Sequence, residues 1–153
     1  MHFDELDRGE LIAVVGGIVL GISLSLVWYR LGNGHAALNN CKGPNGTCSG
    51  WKSLSIVRYF LLVTALAPLI LSWIILRGHG LSWPRGELTA VTALFALTFT
   101  VFRGVIDKPG SPRGQISNGF GWWIALVGGL LILVGSVWRS QESASLPKPP
   151  GLL

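Results

Sequence analysis

Four stretches of about 20 mostly apolar residues constrain this chain more than any other feature of its sequence. At a rise of about 1.5 Å per residue, a helix of that length crosses the hydrocarbon core of a bilayer. No Asp, Glu, Lys or His lies near the middle of any stretch. The predicted spans cover residues 11–29, 55–76, 88–106 and 120–138. We therefore expect an all-α integral membrane protein, folded as a four-helix bundle.

The composition favours the same class of protein. Hydrophobic residues make up 50% of the 153 residues and charged residues 12%, whereas charged residues are about 25% of a typical soluble domain. This balance argues against a disordered tail, a nucleic-acid-binding domain and an ordinary cytosolic enzyme. Residues 1–139 are predicted to form one four-span domain, with its longest loop at 30–54, and residues 140–153 a polar, Pro-rich tail.

A short internal repeat opens the first and third predicted spans. The segment RGELIAV at 8–14 returns as RGELTAV at 85–91. Because these two spans enter the bilayer from the same side, the repeat suggests two parallel two-helix hairpins. The plainer interpretation is a helix start, where the carboxylate of Glu10 or Glu87 favours the positive end of the helix dipole. Arg8 and Arg85 are also placed to meet lipid phosphates.

The chain contains two cysteines, Cys41 and Cys48, on either side of the turn-forming hexapeptide KGPNGT. They can close a small loop as a disulfide; free thiols and redox catalysis are the alternatives, although the spacing is not Cys-x-x-Cys. A disulfide persists only in an oxidising compartment. We therefore expect a multi-pass cell-membrane protein with the cysteine loop outside and both termini in the cytoplasm. The distribution of Lys and Arg residues weakly favours the opposite orientation, with the cysteine loop in the cytoplasm.

Arginines near the ends of two spans are candidate lipid-binding residues. Arg58 lies early in the second span, and Arg103 lies near the end of the third, with Asp107 one turn later. Both arginines can reach phosphates at the membrane surface, so the first interpretation is interfacial anchoring. The alternative is a lipid-headgroup or ligand site built by Arg58, Arg103 and Asp107. Arg8 and Arg85, on the opposite face of the membrane, are separate candidates for binding lipid headgroups.

Small residues recur at every fourth position in the first and last spans. The two stripes are Gly17, Gly21 and Ser25 in the first span, and Gly121, Ala125 and Gly129 in the last. Such stripes let helix backbones approach closely. They predict helix packing inside the bundle or, alternatively, contact with a neighbouring subunit.

These motifs give the chain a resemblance to a group of small four-helix membrane proteins of actinobacteria. The likeness lies in the opening DRGELIAVVGG, in SWPRGEL before the third span, and in VGGLLILVG of the last span. The resemblance implies a topology and no catalytic residues, and the cysteine loop departs from it. A weaker likeness to claudin-type tetraspans rests on four helices and a cysteine pair in the first outer loop, although their Trp-Gly-Leu-Trp pattern is missing.

The function expected from the sequence is that of a non-enzymatic accessory or scaffold subunit of a larger membrane assembly. Its expected partners are membrane lipids and other membrane-protein subunits, and no cofactor, metal or nucleic acid is expected. A self-associating protein that forms a ring or filament is one alternative, and a lipid- or thiol-handling enzyme or transporter is another. The lack of ionisable side chains at depth argues against a pump or proton relay.

Overall fold

A computed structural model describes residues 8–32, 37–38, 41, 46–77 and 86–145, the last four by their backbone only. The helices are α1 (Arg8–Ser23), α2 (Gly50–Ser53), α3 (Val57–Leu76), α4 (Glu87–Val101) and α5 (Phe120–Ser145), and a π-helical turn (Phe102–Ile106) continues α4. Five short strands lie between them: β1 (Val27–Leu31), β2 (Ala37–Leu38), β3 (Thr47–Ser49), β4 (Gly110–Ser111) and β5 (Ile116–Asn118). A 3₁₀ turn, Arg113–Gln115, precedes β5.

Within the described residues, three helices are long and apolar enough to cross a membrane. They cover Val57–Leu76, Glu87–Ile106 and Phe120–Gln141. These ranges follow the second, third and fourth predicted spans closely, because an uninterrupted apolar run of this length has few stable alternatives to a helix in lipid. The structure is thus consistent with a membrane protein, and α5 continues into the segment predicted as a tail.

The prediction of an all-α four-helix bundle is wrong, because the first predicted span is not one continuous helix. α1 ends at Ser23, and a turn leads directly into β1. Its 16 residues extend only ~24 Å, short of the ~30 Å hydrocarbon core. Trp28 and Tyr29 belong to residue types that favour strands, and β1 pairs on both sides. The fold is therefore mixed α/β, with three candidate spans and two small antiparallel sheets.

β1 is the central strand of a three-stranded antiparallel sheet with the order β3–β1–β5. Tyr29 lies opposite Cys48 on one side and opposite Asn118 on the other. A second antiparallel pair, β2 with β4, places Ala37 opposite Ser111. We call the region formed by β1–β5, α2, the start of α3 and the π-helical turn the sheet end of the molecule.

The first and last helices are in direct backbone contact. A Cβ atom at Gly16 would lie 2.7 Å from the backbone nitrogen of Ile132, and one at Gly135 would lie 2.5 Å from the carbonyl oxygen of Gly9. These distances are shorter than any real Cβ contact, so the two helices approach this closely only because glycine has no side chain. α1 runs antiparallel to α5, and its start lies beside the end of α5. We call the region opposite the sheet end, where α1 and α4 begin and α3 and α5 end, the charge-pair end.

The sequence repeat does not extend to a structural repeat. α1 is followed by β1, whereas α4 is followed by the π-helical turn and β4. The two carboxylates at equivalent positions also differ, because Glu10 is buried and Glu87 is exposed. The expectation of two parallel two-helix hairpins is therefore corrected together with the four-helix bundle.

Candidate functional site

An ion cluster centred on Asp107 lies at the sheet end. Arg103 donates from Nη1 to Oδ2 of Asp107 at 2.6 Å, and Arg113 donates from Nη2 to Oδ1 at 2.8 Å. All three side chains are partly exposed, Arg113 most of all. Two arginines share one carboxylate, so the cluster carries one positive charge in excess. The structure thus brings the candidate residues Arg103 and Asp107 together and adds Arg113, which sequence reasoning did not select.

Two buried aromatic side chains hold the π-helical turn that carries Arg103. The Tyr29 hydroxyl donates to the carbonyl oxygen of Arg103 at 2.9 Å, and the Trp122 indole donates to that of Thr100 at 2.8 Å. Gly104 lies against the Trp122 ring, where any Cβ would overlap the indole nitrogen. Burial raises the pKa of the Tyr29 phenol well above its ordinary value, against the opposing effect of the Arg103 charge. Tyr29 therefore remains a neutral donor.

Arg58 is held in a separate aromatic clamp. Its guanidinium donates to the carbonyl oxygen of Trp51 and to the hydroxyl of Tyr59, both at 2.9 Å. It also lies over the two rings, 5.1 Å from the centroid of Trp51 and 4.8 Å from that of Tyr59, a cation–π arrangement. The structure therefore places Arg58 as an anchor at the start of α3 and not within the Asp107 cluster.

The remaining predicted charged and cysteine residues lie apart from this cluster. Arg8 is the first residue of α1, exposed at the charge-pair end, and Arg85 lies outside the described residues. The predicted disulfide is present: Cys41 and Cys48 are joined, with their Cα atoms 5.7 Å apart. Because Cys48 is buried in β3, the disulfide ties the segment after β2 to the three-stranded sheet.

Two of the small residues selected as helix-packing positions contact other spans of the same chain. Gly17 lies against α3, where a Cβ would be 2.9 Å from Cγ of Pro68. Gly129 lies against α4, where a Cβ would be 2.8 Å from Cδ2 of Leu97. Both positions therefore serve packing within the chain.

The other four members of the two stripes have less uniform surroundings. Gly121 packs against β1 and the turn before it, and Ala125 is buried. A Cβ at Gly21 would meet α3 only at 3.9 Å, an ordinary van der Waals distance. Ser25 is exposed in the turn after α1. The fourfold spacing therefore does not correspond to one continuous contact face.

A buried ion pair lies at the charge-pair end. Glu10 Oε1 is 2.6 Å from Arg139 Nη2, and the two side chains are only 4% and 10% exposed. The second oxygen of Glu10, Oε2, is buried and has no hydrogen-bond partner among the described residues. A cavity of about 10 Å³ lies beside the pair, and its lining includes the hydroxyl-bearing residues Ser72, Thr89 and Ser136. It has room for about one water molecule and is too small for an organic ligand.

An apolar groove lies between α3 and α4. It has a volume of about 350 Å³ and is lined by Phe60, Val63, Thr64, Thr92, Phe95, Ala96 and Phe99. The rings of Phe60 and Phe99 stack across it near the sheet end, with centroids 6.0 Å apart. At its base the Thr64 hydroxyl donates to the carbonyl oxygen of Thr92 at 3.4 Å. The volume falls within the ~300–1,000 Å³ range of small-molecule sites.

No model of a known protein family, no curated protein and no solved structure matches this chain. The resemblance to small membrane proteins of actinobacteria therefore stays a prediction. Among the residues that the structure describes, no three His, Cys, Asp or Glu side chains are grouped so as to hold a metal ion.

Proposed function

We propose that this chain is a non-enzymatic membrane protein that serves as an accessory subunit of a larger membrane assembly. The observation that carries the proposal is the structured sheet end. In addition to three apolar helices, the described residues form two small sheets, and a disulfide joins Cys41 to β3 of the three-stranded sheet. All five described strands lie outside the three ranges that are apolar enough to span a membrane. A rigid platform of this kind binds a partner with little loss of conformational entropy.

The charge of the sheet end supports a particular kind of partner. Its described residues include one acidic side chain, Asp107, and six basic ones: Arg30, Lys52, Arg58, Arg103, Lys108 and Arg113. Arg30, Lys52 and Arg113 are exposed. Complementary charge steers association and fixes the orientation of a complex. The proposed partner is therefore a membrane protein with an acidic surface next to the bilayer.

The proposal includes an orientation, with the sheet end outside and the charge-pair end in the cytoplasm. The disulfide supports it, because such bonds are rare in the reducing cytosol. The test uses Cys41 and Cys48, the only cysteines of the chain. After reduction of intact cells, a membrane-impermeant maleimide should label Cys41, which is partly exposed, whereas Cys48 is buried. Labelling that appears only after the membrane is permeabilised would reverse the orientation.

The subunit role is tested by purification from native membranes in mild detergent. The variant Arg30→Glu/Lys52→Glu reverses two exposed charges of the sheet end, and Arg77→Glu is a matched reversal at the charge-pair end. We expect the double variant to bind the partner at least about tenfold more weakly, because like charges across an interface are strongly unfavourable. The Arg77→Glu variant should retain the complex.

Two outcomes would contradict this role. A chain that runs as a monomer from native membranes, without any partner, would exclude it. A complex whose native mass is an integer multiple of the mass of this chain, and which depends on Arg30 and Lys52, would replace it with self-association through the sheet end.

A further inference from the structure

We infer that the groove between α3 and α4 binds one membrane phospholipid, with an acyl chain along the groove and the phosphate at the Arg103–Asp107–Arg113 cluster. This inference does not depend on the proposed subunit role, because it is tested on the purified chain in the absence of a partner protein, although the ion cluster belongs to the sheet end. It assigns a ligand to an apolar space between two of the spans, and it gives the ion cluster a binding role.

The groove is suited to an acyl chain because its polar groups are already engaged. It lies between two helices that are apolar enough to span a membrane. The hydroxyl of Thr64 donates to the carbonyl oxygen of Thr92, and the hydroxyl of Thr92 donates to that of Thr89 at 3.0 Å. The other lining residues are Phe, Val and Ala, so the surface that remains is hydrocarbon. In a bilayer, the surrounding apolar molecules are lipid chains.

The positive charge of the arginine cluster favours a phosphate at the end of the groove nearest the sheet end. Arg103 follows Phe99, a lining residue, by four positions, which is about one helical turn towards the sheet end. Arg103 and Arg113 share the single carboxylate of Asp107, so the cluster has an excess positive charge. Each guanidinium has five N–H donors in a geometry that suits phosphate oxygens. In the described bonds Asp107 accepts one donor from each arginine.

The shape of the groove argues against a helix of another protein as its occupant. α3 and α4 contact each other at the Phe60–Phe99 stack and at the Thr64–Thr92 hydrogen bond. The groove is therefore a slot between two touching helices, whereas a helix with side chains is about 10 Å wide. An extended acyl chain is the thinner of the two candidates, and it is the one we propose.

The test uses the full chain, purified and reconstituted in phosphatidylcholine vesicles that contain phosphatidylglycerol with a photoreactive diazirine on one acyl chain. After illumination, mass spectrometry locates the cross-links. We expect them to be concentrated at residues 60–64 and 92–99. Cross-links spread evenly over the exposed apolar faces of α3, α4 and α5 would show ordinary bulk lipid and would overturn the inference. Protection of the groove from the probe by a second copy of the chain would also overturn the inference.

A matched pair of variants tests the groove itself. Val63 and Val91 are 62% and 50% exposed, and only Val63 lines the groove. Val63→Trp should therefore remove most of the cross-linking at residues 92–99, whereas Val91→Trp should leave it unchanged. Equal effects of the two variants would overturn the inference. If Val63→Trp fails to fold, the distribution of cross-links on the unmodified chain still distinguishes a lipid bound in the groove from bulk lipid.

A second pair of variants tests the phosphate position. Arg113→Gln should reduce the preference for photoreactive phosphatidylglycerol over its phosphatidylcholine analogue about fivefold, the gain that one arginine gives near an anionic headgroup. Arg77→Gln removes an arginine at the charge-pair end and should leave the preference unchanged. A preference that survives Arg113→Gln would place the headgroup elsewhere and overturn this part of the inference.

Discussion

At the sheet end, Asp107 accepts hydrogen bonds from two arginines and remains partly exposed, whereas at the charge-pair end Glu10 faces Arg139 and is almost completely buried. The Asp107 cluster spreads its charge over three side chains and is partly solvated. The Glu10–Arg139 pair is almost completely buried and includes a carboxylate oxygen that has no described partner. Because desolvation makes an uncompensated buried charge far more costly than an exposed one, the two ends should differ in their sensitivity to the loss of one charge.

The largest effect is expected from Glu10→Ala. This change removes the Glu10 carboxylate from beside the buried Arg139 guanidinium, and it should lower the free energy of unfolding by about 3–5 kcal/mol. The measurement is unfolding of the purified protein in mild detergent, by heat or by added sodium dodecyl sulfate. The double variant Glu10→Met/Arg139→Met removes both charges and should recover most of the loss. If the Glu10→Ala protein is as stable as the unmodified one, the two ends do not differ in their sensitivity to the loss of one charge.

The next effect concerns the π-helical turn at the sheet end. Gly104→Ala places a Cβ against the indole of Trp122, and overpacking of this kind lowers stability by about 1–3 kcal/mol. Gly114→Ala is the matched control, because a Cβ there would have nothing within 4 Å. The same unfolding measurement should separate the two variants. Equal stability of the two would show that the turn can move away from Trp122.

A smaller effect is expected from Asp107→Asn. Partly exposed ion pairs contribute roughly 0–1 kcal/mol each, so this variant should lose no more than about 2 kcal/mol and less than Glu10→Ala. The difference from the unmodified protein should shrink in 1 M salt, where the screening length is about 3 Å. A loss as large as that of Glu10→Ala would mean that the two ends do not differ.

The last prediction concerns the ionisation of Tyr29, which does not alter the stability of the protein at neutral pH. Tyr29 is neutral in the folded protein and its pKa is raised by burial, so its contribution to stability is complete below the ordinary tyrosine pKa of about 10. That contribution declines as the pH rises above this value, because the unfolded chain ionises first. The chain has two tyrosines, so Tyr59→Phe leaves Tyr29 alone to titrate. We expect no tyrosinate absorbance from the folded variant at pH values just above about 10.

The sequence was sufficient to locate α3, α4 and α5, because long apolar runs specify helices through their length alone. It was not sufficient for residues 24–31, where an apolar run fits a helix and a buried strand equally well. The sequence also did not reveal which helix each of two adjacent glycines contacts. Gly16 faces α5 and Gly17 faces α3, a difference of one position that a small-residue stripe does not resolve.

The candidate site could be predicted only in its local part. Arg103 and Asp107 are one turn apart, and that spacing alone places them together. Glu10 and Arg139 lie far apart in the sequence, and no local pattern connects them. The groove between α3 and α4 depends on where the two helices touch, which is set by packing and not by the composition of either helix.

The close contact between α1 and α5 has a consequence for how the protein is made. α1 leaves the ribosome before the other helices, and α5, the helix that Gly9 and Gly16 contact, is synthesised only after α3 and α4. Until then, the face of α1 that carries Gly9 and Gly16 is uncovered, whereas Gly17 can already pack against α3. Assembly of these helices is therefore completed by α5, and a nascent chain interrupted after α4 leaves α1 without its main support.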